Sequence, residues 1–162
     1  MQTTLDFSLD VEGVTGVCPV GERWAGQQIT ESRIPVFSCE GPCIRGEIAR
    51  LAANIVAKTA PYARCCHAET FFVPHSGMAR WAKSAEKVVM IDGCFLKCHG
   101  RALKGVIGQD KIVHFDALAL HKRYSDVFLM DDVPEAERKE VAEQVAEKIL
   151  ATLAETVLPG TE

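Results

Sequence analysis

The sequence has no apolar run near the roughly 20 residues that a membrane-spanning helix requires. It has no strong charge of one sign: 18 basic residues against 22 acidic ones leave a formal net charge of −4. A basic face for nucleic acid or for an acidic membrane is therefore not expected. The first residues lack the basic start and apolar centre of a secretory signal, and acids alternate there instead. Internal repeats, low-complexity segments and interdomain linkers are missing too. So is an even cysteine count: the chain has seven in 162 residues. Secreted disulfide frameworks pair their cysteines in shorter sequences, whereas clustered thiols in a reducing compartment bind metal or do thiol chemistry. These absences predict a cytoplasmic protein with neither a nucleic-acid nor a membrane partner.

What is present reads as one α/β domain over residues 1–162. Nearly half of the residues, 48%, are hydrophobic, enough for a core without covalent staples. Leu5, Phe7, Leu9 and Val11 alternate with polar residues, predicting a half-buried strand in an N-terminal extension over 1–33. That strand, or a hairpin closed near Gly13 to Gly16, would join the sheet antiparallel. A second copy of the chain, making a homodimer, is the other cover for its apolar face. Residues 19–33 show turn signals and little periodicity. A cysteine-bearing core spans 34–118, with strands at Ile34–Phe37, Thr70–Val73, Val88–Ile91 and Ile112–Leu118. Val127–Met130 reads as a short further strand. Helical spacing follows Pro42, Ser76 and Asp92, and a long amphipathic helix over 134–157 closes the chain. Strands alternating with helices predict a three-layer Rossmann-like fold, with a mainly parallel sheet and helices on both faces.

The stretch from Val88 to Cys98 organises the site. An apolar strand ends at Asp92-Gly93, and a helix beginning at Cys94 would stack Cys94 and Cys98 one turn apart on one face. Cys39 likewise ends a strand, and Cys43 falls in the next helix's first turn. Ligands in open α/β sheets bind beyond the carboxyl ends of strands where connections diverge. If the strands ending at Cys39 and Asp92 are neighbours, the two Cys-x3-Cys pairs face one crevice. Helix N-termini there favour thiolate over thiol. Cys39, Cys43, Cys65, Cys66, Cys94 and Cys98, with His67 and His99, exceed the four ligands that tetrahedral zinc takes. Asp92 reads as an acceptor of backbone N–H groups at the helix start, or as a partner to a metal ligand.

The run Ile91-Asp92-Gly93-Cys94, followed by Cys98, resembles the DGC-domain family, which is named for its Asp-Gly-Cys motif and associated with zinc binding. Cys39-Glu40-Gly41, the helix carrying Gly46, and Cys66-His67-Ala68 are similar to that family's other motifs. The resemblance covers roughly Ile34 to Leu118. It implies a metal site of Cys39, Cys66, Cys94 and Cys98, and no reaction. Cys43 and Cys65 depart from the family pattern, so spacing favours Cys43 as fourth ligand while the resemblance favours Cys66.

Two other chemistries fit the same residues. Cys39 to Arg45 is a Cys-x5-Arg run between a strand and a helix, similar to low-molecular-weight tyrosine phosphatases and thioredoxin-coupled arsenate reductases. In that reading Cys39 is the catalytic nucleophile and Arg45 the oxyanion clamp. In the other, Cys94 and Cys98 form a metal-free dithiol redox pair or pass sulfur. Four thiolates would also hold an iron–sulfur cluster. The expected partner is a metal ion, beside a small molecule or protein that the sequence does not name.

Overall fold

The computed structural model describes residues 6–156. Four parallel strands, β1 (Ile34–Ser38), β2 (Tyr62–Arg64), β3 (Val88–Asp92) and β4 (Ile112–Asp116), form one sheet in the order β2-β1-β3-β4. Around it lie α1 (Pro19–Thr30), α2 (Ile44–Val56), α3 (Gly77–Ser84), α4 (Cys98–Lys104), α5 (Ala117–His121) and α6 (Glu135–Thr156). The fold is α/β and Rossmann-like, as the alternation predicts. Strand side chains alternate between two apolar layers. Val36, Val89, Ile91 and Phe115 pack under α2, α5 and α6, while Phe37, Val88 and Met90 pack under α1, α3 and α4. Val141, Val145, Ile149 and Leu153 of α6 are fully buried, so the long helix faces the core as its spacing requires. Val157 lies outside the described residues, as does Leu5. Among the described residues no helix is long and apolar enough to cross a membrane.

Five expectations are corrected. Residues 6–18 carry no strand: they are exposed and pair with neither edge of the sheet, β2 or β4. Residues 70–73 fall in and just after a 3₁₀ turn, Ala68–Phe72, and residues 127–130 form only an isolated antiparallel bridge from Leu129 to Cys43. The second parallel strand is instead β2, too short to show a period. α1 is missed because Gly21 and Gly26 interrupt its pattern and only Ala25 and Gln28 are buried. Pro19 suits its first turn and the Cys18 sulfur accepts the Gly21 N–H. The fifth correction bears on the site: α4 begins at Cys98, not Cys94.

Candidate metal centre

The order β2-β1-β3-β4 sets the ends of β1 and β3 side by side, as the sequence expects. The chain leaves β1 toward β2 and leaves β3 toward β4, so the two connections diverge between adjacent strands. The Cys39 N–H donates to the Ile91 carbonyl at 2.9 Å, which sets Cys39 beside Asp92. The loop after β3 lies against the first turn of α2. A Cβ at Gly93 would stand 2.8 Å from the Arg45 carbonyl carbon and the Gly46 nitrogen, closer than packed atoms come. Gly46 in turn touches the Gly41 backbone. Glycine at 46 and 93 thus lets three backbone segments close around the end of β1.

Asp92 is buried, with 1% of its surface exposed, and its oxygens are engaged. His114 Nε2 lies 2.6 Å from Oδ2, the Gly100 N–H donates to Oδ2 at 2.9 Å, and the His99 N–H donates to Oδ1 at 3.2 Å. This carboxylate caps α4 from six residues upstream, a task that Lys97, with a left-handed backbone and no side-chain cap, does not perform. The helix therefore starts where Asp92 can reach its N–H groups. Cys94 to Lys97 form a turn, so Cys94 and Cys98 do not share a helical face. Gly100 is required here, since a Cβ would collide with the His114 ring and lie 2.8 Å from Asp92 Oδ2. Burial alone would raise the Asp92 carboxyl. His114, His99 and the Gly100 N–H outweigh it and hold the group well below the ordinary carboxylate range.

His99 enters from the second position of α4. Its Nδ1 is 3.7 Å from Asp92 Oδ1, beyond hydrogen-bond length, and is buried without a hydrogen-bond partner. Asp92 first, then Cys39, holds the imidazolium up to about 10 against the effect of burial. Cys39 shows the reciprocal effect. Burial opposes ionisation most strongly, yet His99 and the N–H groups of Gly41 and Gly93 together pull the thiol below its usual value. One ligand atom each of Cys39, Asp92 and His99 lies within 4.8 Å of the others, a group that could hold a metal ion. A cavity of about 260 Å³ adjoins it, lined by Ala68, Glu69, Phe72, Cys98, His99 and Ala102.

The remaining thiols stand apart from this group. The Cys43 sulfur accepts the Gly46 N–H at 3.4 Å and caps α2. A Cβ on Gly41 would lie 3.6 Å from Cys39 Sγ and 3.8 Å from Cys43 Sγ, so Gly41 sits between the two sulfurs. Cys94 is half-buried in the turn after Gly93, and Cys98 is exposed beside Arg101 Nη2 at 3.8 Å. Cys66 is exposed on the side of Cys18, Arg64 and Glu40. Cys65 is buried against Met78, its Sγ 4.0 Å from the Met78 sulfur. His67 pairs with Glu69. All seven cysteines are free thiols. Arg45 donates from Nη2 to the Ser125 carbonyl at 3.0 Å, and no hydrogen bond from it reaches Cys39. Sequence reasoning assigned no chemistry to His114. Its signal was a lone polar side chain inside the apolar run of β4, at the register position opposite Met90.

A family model described as the DGC domain matches residues 35–149. No curated protein and no solved structure matches the chain.

Proposed function

The chain belongs to the DGC-domain family, and from that premise we propose that it binds a zinc ion at the divergence of β1 and β3. The observation that carries the reading is the convergence of Cys39, Asp92 and His99 within 4.8 Å. The donor set suits the metal: a thiol biased toward thiolate, an imidazole and a carboxylate are the three ligand types that zinc accepts. The buried, unpartnered Nδ1 of His99 supplies a free lone pair once its proton leaves, which is a need that a bound cation would satisfy. Cys94 and Cys98 lie between Asp92 and His99 in sequence and complete the set more readily than Cys66, which lies with Cys18, or Cys43, which caps α2 across Gly41. Asp92 acts as ligand or as the group that orients His99, and His114 holds Asp92 in turn. Bound there, zinc would serve sensing, transfer or local structure.

Metal analysis of the protein purified under reducing conditions tests this. About one zinc per chain is expected, with loss in Cys39→Ser and in His99→Ala, and retention in Cys66→Ser. Cobalt substitution should give a thiolate-to-metal charge-transfer band that Cys39→Ser removes. Unchanged zinc content in Cys39→Ser sinks the proposal, and a brown protein containing iron and sulfide replaces zinc with a cluster. A second reading, a metal-free thiol nucleophile at Cys39, draws on the same lowered thiol and on the cavity beside His99. The phosphatase-like form of it loses support because Arg45 is held by Ser125. Phosphatase and arsenate-reduction assays on metal-free protein separate these readings.

A further inference from the structure

Residues 7–11 have the alternation of a strand but pair with no sheet. Phe7, Leu9 and Val11 are 84%, 68% and 46% exposed, with Ser8 and Asp10 between them and Asp6 and Glu12 outside. The period of two is that of a strand with one apolar face. An extended segment gains nothing from that pattern until its backbone finds an edge and its apolar side finds cover. The root of the arm is fixed, with His75 Nε2 lying 3.2 Å from the Thr15 carbonyl oxygen. Between root and arm, Gly13 stands in open space, where the chain can swing without meeting its own domain.

The sheet offers a matching vacancy. Among the described residues β4 pairs with β3 on one side and with nothing on the other, and it is five residues long, the length of the arm. The opposite edge is a poorer receptor. β2 has three residues, and the Trp24 indole N–H already occupies the Arg64 carbonyl at 3.0 Å. Charge also favours β4. Lys104, at the end of α4, and Lys122, just after α5, are exposed on the helices before and after this strand in the chain, and neither is in an ion pair among the described residues. Lys111 precedes β4 directly. The arm brings Asp6, Asp10 and Glu12. Of the carboxylates near the edge, Asp116 is committed to capping α5 through the Ala119 N–H, and Asp110 sits against Gly108. Partly buried Ile112 and Val113, with exposed Val106 beside them, give apolar side chains a surface to meet.

We propose that residues 7–11 add to the outer edge of β4 in a second copy of this chain, and that two copies exchange arms about a two-fold axis. The contact is self-complementary, because each chain carries one arm and one open edge, and exchange closes the assembly at two. It also removes an exposed edge that would otherwise invite uncontrolled pairing.

Sedimentation over a wide concentration range, with hydrogen exchange on the same samples, tests the proposal. A dimer is expected whose formation protects the amides of 7–11 together with those of β4. Leu9→Asp changes an exposed residue and leaves the domain folded; it should weaken the dimer at least about tenfold. The double variant Lys104→Glu with Lys122→Glu should weaken it too, and adding Asp10→Lys should restore it. A monomer at every concentration overturns the proposal, as does a dimer indifferent to Leu9→Asp. Protection of 7–11 that is independent of concentration assigns the arm to its own sheet and overturns the exchange. Protection at 62–64 instead of β4 overturns the choice of edge.

Discussion

Cys39 and Cys65 occupy equivalent places: each is the residue immediately after a parallel strand, β1 for one and β2 for the other. Their chemistry is opposite. Cys39 lies where two connections diverge, beside His99 and the N–H groups of Gly41 and Gly93, and its thiol is pulled down in spite of burial. Cys65 lies under Met78 in the apolar layer, where burial foremost, together with the neighbouring Cys66 thiol, pushes it far above any physiological range. A cysteine at a strand end is thus not a ligand by position alone. The crevice comes from the divergence of connections, and the thiolate comes from the donors that the crevice gathers.

The sharpest break of this comparison is alkylation. In folded, metal-free protein at neutral pH, Cys39 should react with iodoacetamide at least about a thousandfold faster than Cys65, because thiolate is the nucleophile and Cys65 holds almost none. Peptide mass spectrometry over time reads both sites at once. Equal rates would mean that the two environments do not differ as described. Asp92→Asn sharpens the test. Without the carboxylate, His99 holds its proton less firmly, so Cys39 should slow while Cys65 does not change.

Stability separates the two regions next. Asp92→Ala removes the group that His114, Gly100 and His99 surround, and strands a buried imidazole; a loss of about 3 kcal/mol is expected. Cys65→Ala removes one sulfur from an apolar layer and should cost only about 1 kcal/mol. Urea unfolding of both variants measures the difference, and a larger loss at Cys65 would put the structural weight in the wrong place.

The fold was legible because its signals are periodic and its apolar runs are bounded. Val88–Ile91 announces a buried strand, and α6 shows its face through Val141, Val145, Ile149 and Leu153. The position of the site was legible as well, since Cys39 and Asp92-Gly93 both end strands. Its composition was read only in part. Cys94 and Cys98 looked like helical neighbours because spacing cannot show that Asp92 captures the N–H groups of His99 and Gly100 and so delays the helix. His114 contributes through strand pairing, which joins residues 22 apart in the chain, and no local pattern carries that. The alternation at Phe7 to Val11 was read as a strand joining this chain's sheet and forms none there, because a period of two specifies a face and not a partner.

The imidazoles repeat the lesson of the thiols with a smaller effect. His99 and His121 both lie beyond the carboxyl ends of β3 and β4 and both are partly buried, yet one is held up to about 10 and the other pushed down to about 4. The sign of the neighbours decides. His99 faces the Asp92 carboxylate. For His121, burial acts first, the Arg123 guanidinium adds to it, and Lys148 and Arg45 act in the same direction against Asp116. Its Nδ1 accepts the Arg123 N–H at 3.0 Å, which a neutral ring can do and a charged one cannot. An unfolded His121 takes a proton below about 6.5, while the folded one resists until about 4. The unfolded state therefore binds more protons across that window, and stability from this residue, complete above it, declines as pH falls through it. His99 contributes the reverse: its stabilisation is complete below about 6.5 and is lost only as pH rises through about 10, so it is flat over the acid range. His121→Asn keeps an acceptor for the Arg123 N–H and removes the titration. The melting temperature of the natural protein should fall more steeply between pH 6.5 and 4 than that of the variant. Parallel curves would show that the cations around His121 do not hold its proton off.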